Sequence, residues 1–180
     1  VFRIAGGAGA DVLTLDGDNT LDGQTLSTTG IETLNKVNSG SFTLNGTHAF
    51  SAVHVQGGVL NVSGGIGSLG LANATLDIST GAAVSLLQTT QASLTQTLTG
   101  AGNLQTNGAV VFNRNNTGFT GTFTIGSGVA IFNVDDAVGS ANIVANGELR
   151  LGDITLDNNV AGQGFIRKSS AGTTTLSGIN

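Results

Sequence analysis

The sequence predicts an all-β solenoid, a parallel β-helix of roughly eight coils. Three observations lead there. Short alternations of apolar and polar residues recur along nearly the whole chain, turn signals rich in glycine separate them, and a larger motif returns every 64 to 70 residues. Each observation is local, but together they describe a ribbon that winds and stacks on itself.

Taken in order, the alternations are Phe42-Thr43-Leu44, Val53-His54-Val55, Leu60-Asn61-Val62, Leu76-Asp77-Ile78 and Val84-Ser85-Leu86. They continue through Val110-Val111-Phe112, Phe123-Thr124-Ile125, Val129-Ala130-Ile131, Leu149-Arg150-Leu151, Ile154-Thr155-Leu156 and Thr174-Thr175-Leu176. A period of two places alternate side chains on opposite faces, so these segments read as half-buried strands of about three to five residues. Between them lie Asn45-Gly46, Gly57-Gly58, Gly64-Gly65, Thr80-Gly81, Asn107-Gly108, Ser127-Gly128 and Asn146-Gly147, all turn-forming pairs. Only Leu86 to Leu98 is long enough to suggest a helix, and its Thr and Ser content with loosely spaced Leu87, Leu94 and Leu98 favours strands there too.

Composition narrows the function. The 180 residues include no Pro, Cys, Met, Trp or Tyr, only 9% charged residues and 29 Gly, so the surface is solvated largely by the hydroxyls and amides of Ser, Thr and Asn. A net charge of −5 with scattered Arg and Lys gives no basic footprint for nucleic acid. Without cysteine there are neither disulfides nor thiolate chemistry. No apolar run approaches the roughly 20 residues of a membrane helix, and the start Val1-Phe2-Arg3-Ile4 reads as a piece of a longer protein.

Asn-Gly between alternating runs also fits antiparallel hairpins, and the repeats decide against that reading. Residues 30–62 run from Gly30-Ile31-Glu32-Thr33-Leu34 through Ser41-Phe42-Thr43-Leu44-Asn45-Gly46 and Ala49-Phe50-Ser51 to Gly57-Gly58-Val59-Leu60-Asn61-Val62. A second copy over 102–133 contains Gly102-Asn103-Leu104, Val110-Val111-Phe112-Asn113, Gly118-Phe119-Thr120-Gly121 and Ser127-Gly128-Val129-Ala130-Ile131. A third, truncated copy over 164–180 begins at Gly164-Phe165-Ile166 and reaches Thr173-Thr174-Thr175-Leu176-Ser177-Gly178. Phe50 then matches Phe119, and Val59 matches Val129. With about 21 to 23 residues per coil, each copy is three coils, and residues 1–180 form one segment about 38 Å long at the usual strand spacing.

The phrase Ile31-Glu32-Thr33-Leu34-Asn35-Lys36 followed by Gly40-Ser41-Phe42-Thr43-Leu44-Asn45-Gly46, with its echoes at 102–133 and 164–180, resembles the repeats of autotransporter passengers of the type V secretion route. Those repeats run Gly-x-Leu-x-Lys, then Gly-x-hydroxyl-Leu-x-Leu, then Asn/Thr-x-aromatic-hydroxyl-Gly and Gly-x-Leu-x-Val. The resemblance implies a right-handed parallel β-helix, export across two membranes, and adhesion, aggregation or toxin presentation as an adhesin-like virulence factor. It also implies a C-terminal translocator barrel in the full-length polypeptide, and placement on the bacterial cell surface or in secreted form, anchored through the outer membrane. The partners it implies are host cell surfaces, extracellular matrix proteins, or further copies of the chain.

Two other function classes have candidate residues. Gly6-Gly7-Ala8-Gly9-Ala10-Asp11-Val12-Leu13-Thr14 fits the calcium-binding nonapeptide of an RTX-like β-roll, with Asp11 supplying a carboxylate. The following Leu15-Asp16-Gly17-Asp18-Asn19-Thr20-Leu21-Asp22-Gly23 is a degenerate second copy, adding Asp16, Asp18 and Asp22. Calcium needs oxygens from adjacent turns, so the alternative to a metal site is an acidic coil corner. A carbohydrate-active β-helix enzyme needs convergent carboxylates, yet Asp135-Asp136 are adjacent on the chain, where strand residues point to opposite faces. Asp153 and Asp157 read as solubilisers at strand ends, and His48 and His54 as exposed or turn histidines lacking a third ligand. There are no Trp or Tyr platforms for sugars, and the eight Phe fall mainly at alternating core positions. The stalk explains the whole chain, and it names neither a catalytic residue nor a cofactor.

Overall fold

The computed structural model describes residues 1–18, 26–63 and 65–179. Alternation of apolar residues produces short strands, and these strands form three parallel faces around a common interior, stacked as a β-solenoid of about eight turns. The first face contains Val12–Asp16, Thr33–Val37, Ala52–Val55, Thr75–Ile78 and Thr97–Gly100. Later in the chain its place is taken by the pair Thr155–Leu156 and Thr175–Leu176. The second face runs from Ser41–Leu44 through Val59–Val62, Ala83–Leu86, Asn103–Thr106, Thr122–Ile125 and Asn142–Ala145 to Val160–Ala161. The third face contains Ala92–Leu94, Ala109–Phe112, Val129–Phe132, Glu148–Leu151 and Phe165–Lys168. In chain order, Phe2–Ala5 and Leu26–Thr29 hold the third-face place at the N-terminal end, and one turn of 3-10 helix, Ile66–Leu69, holds it before Ala92. The segment from Leu86 to Leu98 is built of strands and turns.

The stacking is in register, so side chains with the same facing pile into columns. Leu34, Val53, Leu76 and Leu98 lie directly over one another on the first face, and Leu60, Val84, Leu104 and Phe123 do so on the second. All eight are fully buried. Phe112, Phe123 and Phe132 meet inside, with ring centroids 5.2 to 5.8 Å apart, a geometry that favours aromatic pairs.

The corner between the second and third faces explains the turn signals. A Cβ on Gly128 would lie 2.0 Å from the Gly108 carbonyl oxygen, one on Gly147 2.3 Å from that of Gly128, and one on Gly164 2.0 Å from that of Gly147. None of these four glycines has a positive φ. They serve close approach of stacked backbones, not the left-handed torsions of a hairpin turn. Asn107-Gly108, Ser127-Gly128 and Asn146-Gly147 are therefore coil corners.

Coil length varies more than the sequence suggests. Paired positions lie 24 residues apart from Phe2 to Leu26 and 17 apart from Ile143 to Val160, because the corners differ in length while the strands stay paired. Three coils carry Val59 to Thr122 through Ala83 and Asn103, and Val129 lies one face further on. Phe50 likewise precedes the first-face strand Ala52–Val55, whereas Phe119 bridges to Gly100 at the far end of that face. Both rings are fully buried, but at different corners.

Leu76 is central to its column and Leu176 is 45% exposed on the last coil. Leu76→Ala is expected to cost about 2–5 kcal/mol and Leu176→Ala less than about 1 kcal/mol, measured by urea unfolding. Equal costs would contradict a core made of stacked columns.

Candidate functional site

Of the acidic residues singled out by sequence, Asp16 and Asp18 reach the neighbouring coil through their carboxylates, whereas the Asp11 carboxylate closes its own turn. Asp11 Oδ2 accepts a hydrogen bond from the Gly7 backbone N–H at 2.8 Å, while the Asp11 N–H donates to Glu32 Oε2 at 2.8 Å. Asp16 Oδ1 accepts from Asn38 Nδ2 at 2.8 Å, and Asp18 Oδ1 accepts from the Ser41 N–H at 2.5 Å. Asp22 lies outside the described residues. At Gly6 a Cβ would lie 1.7 Å from the Gly30 carbonyl oxygen, so the stacked backbones admit only glycine there. Among the described residues, no group of three or more His, Asp or Glu side chains converges on a point that would hold a cation.

Asp135, Asp136 and Asp153 likewise reach an adjacent coil. Asp135 Oδ1 accepts from the Thr155 N–H at 2.7 Å, on the following coil, and Asp136 Oδ2 accepts from Asn115 Nδ2 at 2.9 Å, on the preceding one. The adjacent pair is thus drawn in opposite directions. On the last coils Lys168 Nζ donates to Asp153 Oδ1 at 2.8 Å and Ser170 Oγ donates to the same oxygen at 2.5 Å. These hydrogen bonds hold the Asp153 carboxyl below its ordinary range, Lys168 contributing most. Asp157 is exposed. On the third face Arg150 Nε donates to Glu148 Oε1 at 2.9 Å, which lowers the pKa of that carboxyl, with Arg167 3.6 Å away.

The two histidines occupy different surroundings. His54 stands on the outward first-face column Asn35, His54, Asp77 and Thr99. Its Nδ1 is 3.8 Å from Asp77 Oδ2, and Thr99 Oγ1 donates to Asp77 Oδ1 at 2.9 Å. His48, expected at an exposed or turn position, is only 4% exposed. Its ring stacks on Phe50 with centroids 4.8 Å apart, Nδ1 lies 2.8 Å from Thr28 Oγ1 and Nε2 lies 3.0 Å from the Asn45 carbonyl oxygen. Nε2–H donating to Asn45 and Nδ1 accepting from the Thr28 hydroxyl satisfies both nitrogens of a neutral ring. Burial holds the pKa below 6.5, outweighing the upward pull of the Asn45 hydrogen bond.

Sequence reading passed over Lys36, which is fully buried. It occupies an inward column between Leu15 and Val55, and its Nζ donates to the carbonyls of Val37, Asn38 and Gly57 at 2.8, 3.2 and 3.4 Å. Alternation alone puts Lys36 on the same face as Leu34, so the period of two was the available signal. Buried amides do similar work. Asn116 Nδ2 donates to the Ala137 carbonyl at 2.6 Å and its Oδ1 accepts from the Leu98 N–H at 2.8 Å. Asn158 Nδ2 donates to Gly139 and Ala141 at 2.8 and 2.9 Å.

A different arrangement faces solvent. On the second face Thr43, Asn61, Ser85, Gln105 and Thr124 form one outward column, uncharged and polar over five coils. It offers a hydroxyl or amide group at every coil and no carboxylate or imidazole. Comparison with known proteins finds no matching family model, no matching curated protein and no matching solved structure. What the geometry defines is a class, the parallel β-solenoid.

Removing the Lys36 ammonium leaves three carbonyls short of a donor and opens a cavity. Lys36→Ala is therefore expected to destabilise the chain by about 3 kcal/mol or more, read from the urea midpoint. A change under about 0.5 kcal/mol would remove the ammonium from any structural role.

Proposed function

We propose that this chain is a structural and adhesive stalk segment of a bacterial autotransporter passenger, carried at the cell surface through the outer membrane. The observation that carries the reading is the second-face sheet, seven parallel strands running unbroken from Ser41 to Ala161. An architecture that adds length by repeating one coil suits a spacer, and the repeat phrases at 30–62, 102–133 and 164–180 supply the passenger assignment. The outward Thr43–Asn61–Ser85–Gln105–Thr124 column supports adhesion through many weak contacts to host cell surfaces or matrix proteins, where affinity grows with the number of sites engaged.

Self-association is part of the proposal for the 180-residue segment taken by itself. The last coil leaves Phe165 57%, Leu176 45% and Ile179 80% exposed, and the first leaves Val12 57% exposed. Strand edges with exposed apolar side chains pair readily with further strands, whether those of another coil of a longer chain or, in the isolated segment, those of a second copy.

Beads carrying many copies are expected to be retained on host cells or matrix-coated surfaces on the order of 100-fold better than single copies at equal protein concentration. Retention no better than that of beads bearing an unrelated β-rich protein would remove the adhesive reading. In sedimentation velocity, the mean mass is expected to rise with concentration and Leu176→Asp to suppress the rise; a strict monomer throughout would sink the self-association.

A further inference from the structure

The third face is interrupted near the N-terminal end. Leu26–Thr29 pairs with Phe2–Ala5 on one side, and in chain order the next strand of that face is Ala92–Leu94. Residues 45–50 and the 3-10 turn Ile66–Leu69 occupy the coils between. Here side chains join coil to coil. Asn45 Oδ1 accepts from the Leu26 N–H at 3.0 Å, and His48 Nδ1 accepts from Thr28 Oγ1 at 2.8 Å. The backbone N–H of His48 donates to the Gly67 carbonyl at 3.2 Å, while its Nε2–H returns to Asn45 at 3.0 Å. One residue therefore touches three successive coils.

We infer that His48 is an acid-sensitive latch whose neutral ring pins Leu26–Thr29, and with it Phe2–Ala5, to the body of the solenoid, and whose protonation loosens that end. The chemistry is a single proton taken up from solvent at Nδ1. That nitrogen changes from acceptor to donor, so the Thr28 hydroxyl must turn its own hydrogen away, within a site where Thr28 is only 9% exposed. Among the described residues the charge also finds no counter-ion. Those that meet His48 are Thr28, Asn45, Phe50 and Gly67, and none of Leu26–Thr29, the turn through Phe50 and Ile66–Leu69 carries another titratable or charged side chain. Arg3, on the strand beyond, is exposed and shares its column with Ser27. A protonated ring would meet only the Thr28 hydroxyl and the Asn45 carbonyl, fewer acceptors than the three carbonyls that hold the Lys36 ammonium, and at His48 burial outweighs them.

The sign follows from linkage. Burial lowers the folded pKa below the ordinary 6.5, so the unfolded or detached form binds the proton more readily. The stabilisation is complete above 6.5 and is lost as pH falls from there through the folded midpoint. Within that window the opening equilibrium rises by up to about tenfold per pH unit.

The test is an NMR titration of the isotope-labelled chain from about pH 8 to about pH 5, following both imidazole rings and the amides of Leu26 to Thr29, together with thermal melts. We expect the His48 ring and those amides to titrate with a common midpoint below 6.5, and Tm to fall on acidification. We expect His48→Gln to abolish the amide response and His54→Gln to leave it intact. Should His48→Gln fail to fold, the wild-type midpoints still decide. Amides that stay fixed while His48 titrates, or a response that persists in His48→Gln, would overturn the latch.

Discussion

Backbone hydrogen bonding between coils is the constraint from which the rest follows. A short strand on a solenoid has no partner within its own coil, so its N–H and C=O groups are satisfied only by the coils on either side. Pairing is parallel and in register throughout the described residues, and that fixes where every side chain stands. Apolar residues stack into internal columns because their neighbours above and below do. Glycines fill the corner at 108, 128, 147 and 164 because stacked backbones leave no room for a Cβ.

Irregular corners create polar groups that the ladders do not reach, and buried side chains supply them. Lys36 donates to three carbonyls where the chain turns from the first face to the second. Asn116 and Asn158 do the same with their amides. Carboxylates play the complementary role at the surface, accepting from backbone N–H groups of an adjacent coil, as Asp18 does from Ser41 and Asp135 from Thr155. In the motif that resembles a calcium loop, the Asp11 carboxylate instead closes its own turn by accepting from Gly7.

Much of the fold was legible because a period of two survives in almost every strand. Phe42–Leu44, Val53–Val55 and Leu76–Ile78 all face as their alternation requires. The long spacing did not mark equivalent places: Val59 and Val129 look alike yet sit on different faces, since similar Gly-bearing corners precede more than one face. The polar interior was hidden for another reason. Lys36 and His48 belong to residue types usually found at the surface, and their burial depends on carbonyls and hydroxyls from coils about 20 residues away. No local pattern encodes such partners. The outward Thr43 to Thr124 column was present in the strand phrases but becomes a surface only once register is known.

Corner length varies between 17- and 24-residue coils while strand pairing is conserved. Gene duplication or deletion of one whole winding would therefore splice one ladder onto another with both flanking contacts preserved. Reach along the axis becomes a heritable quantity that recombination can adjust in discrete steps, without redesigning any part of the interior.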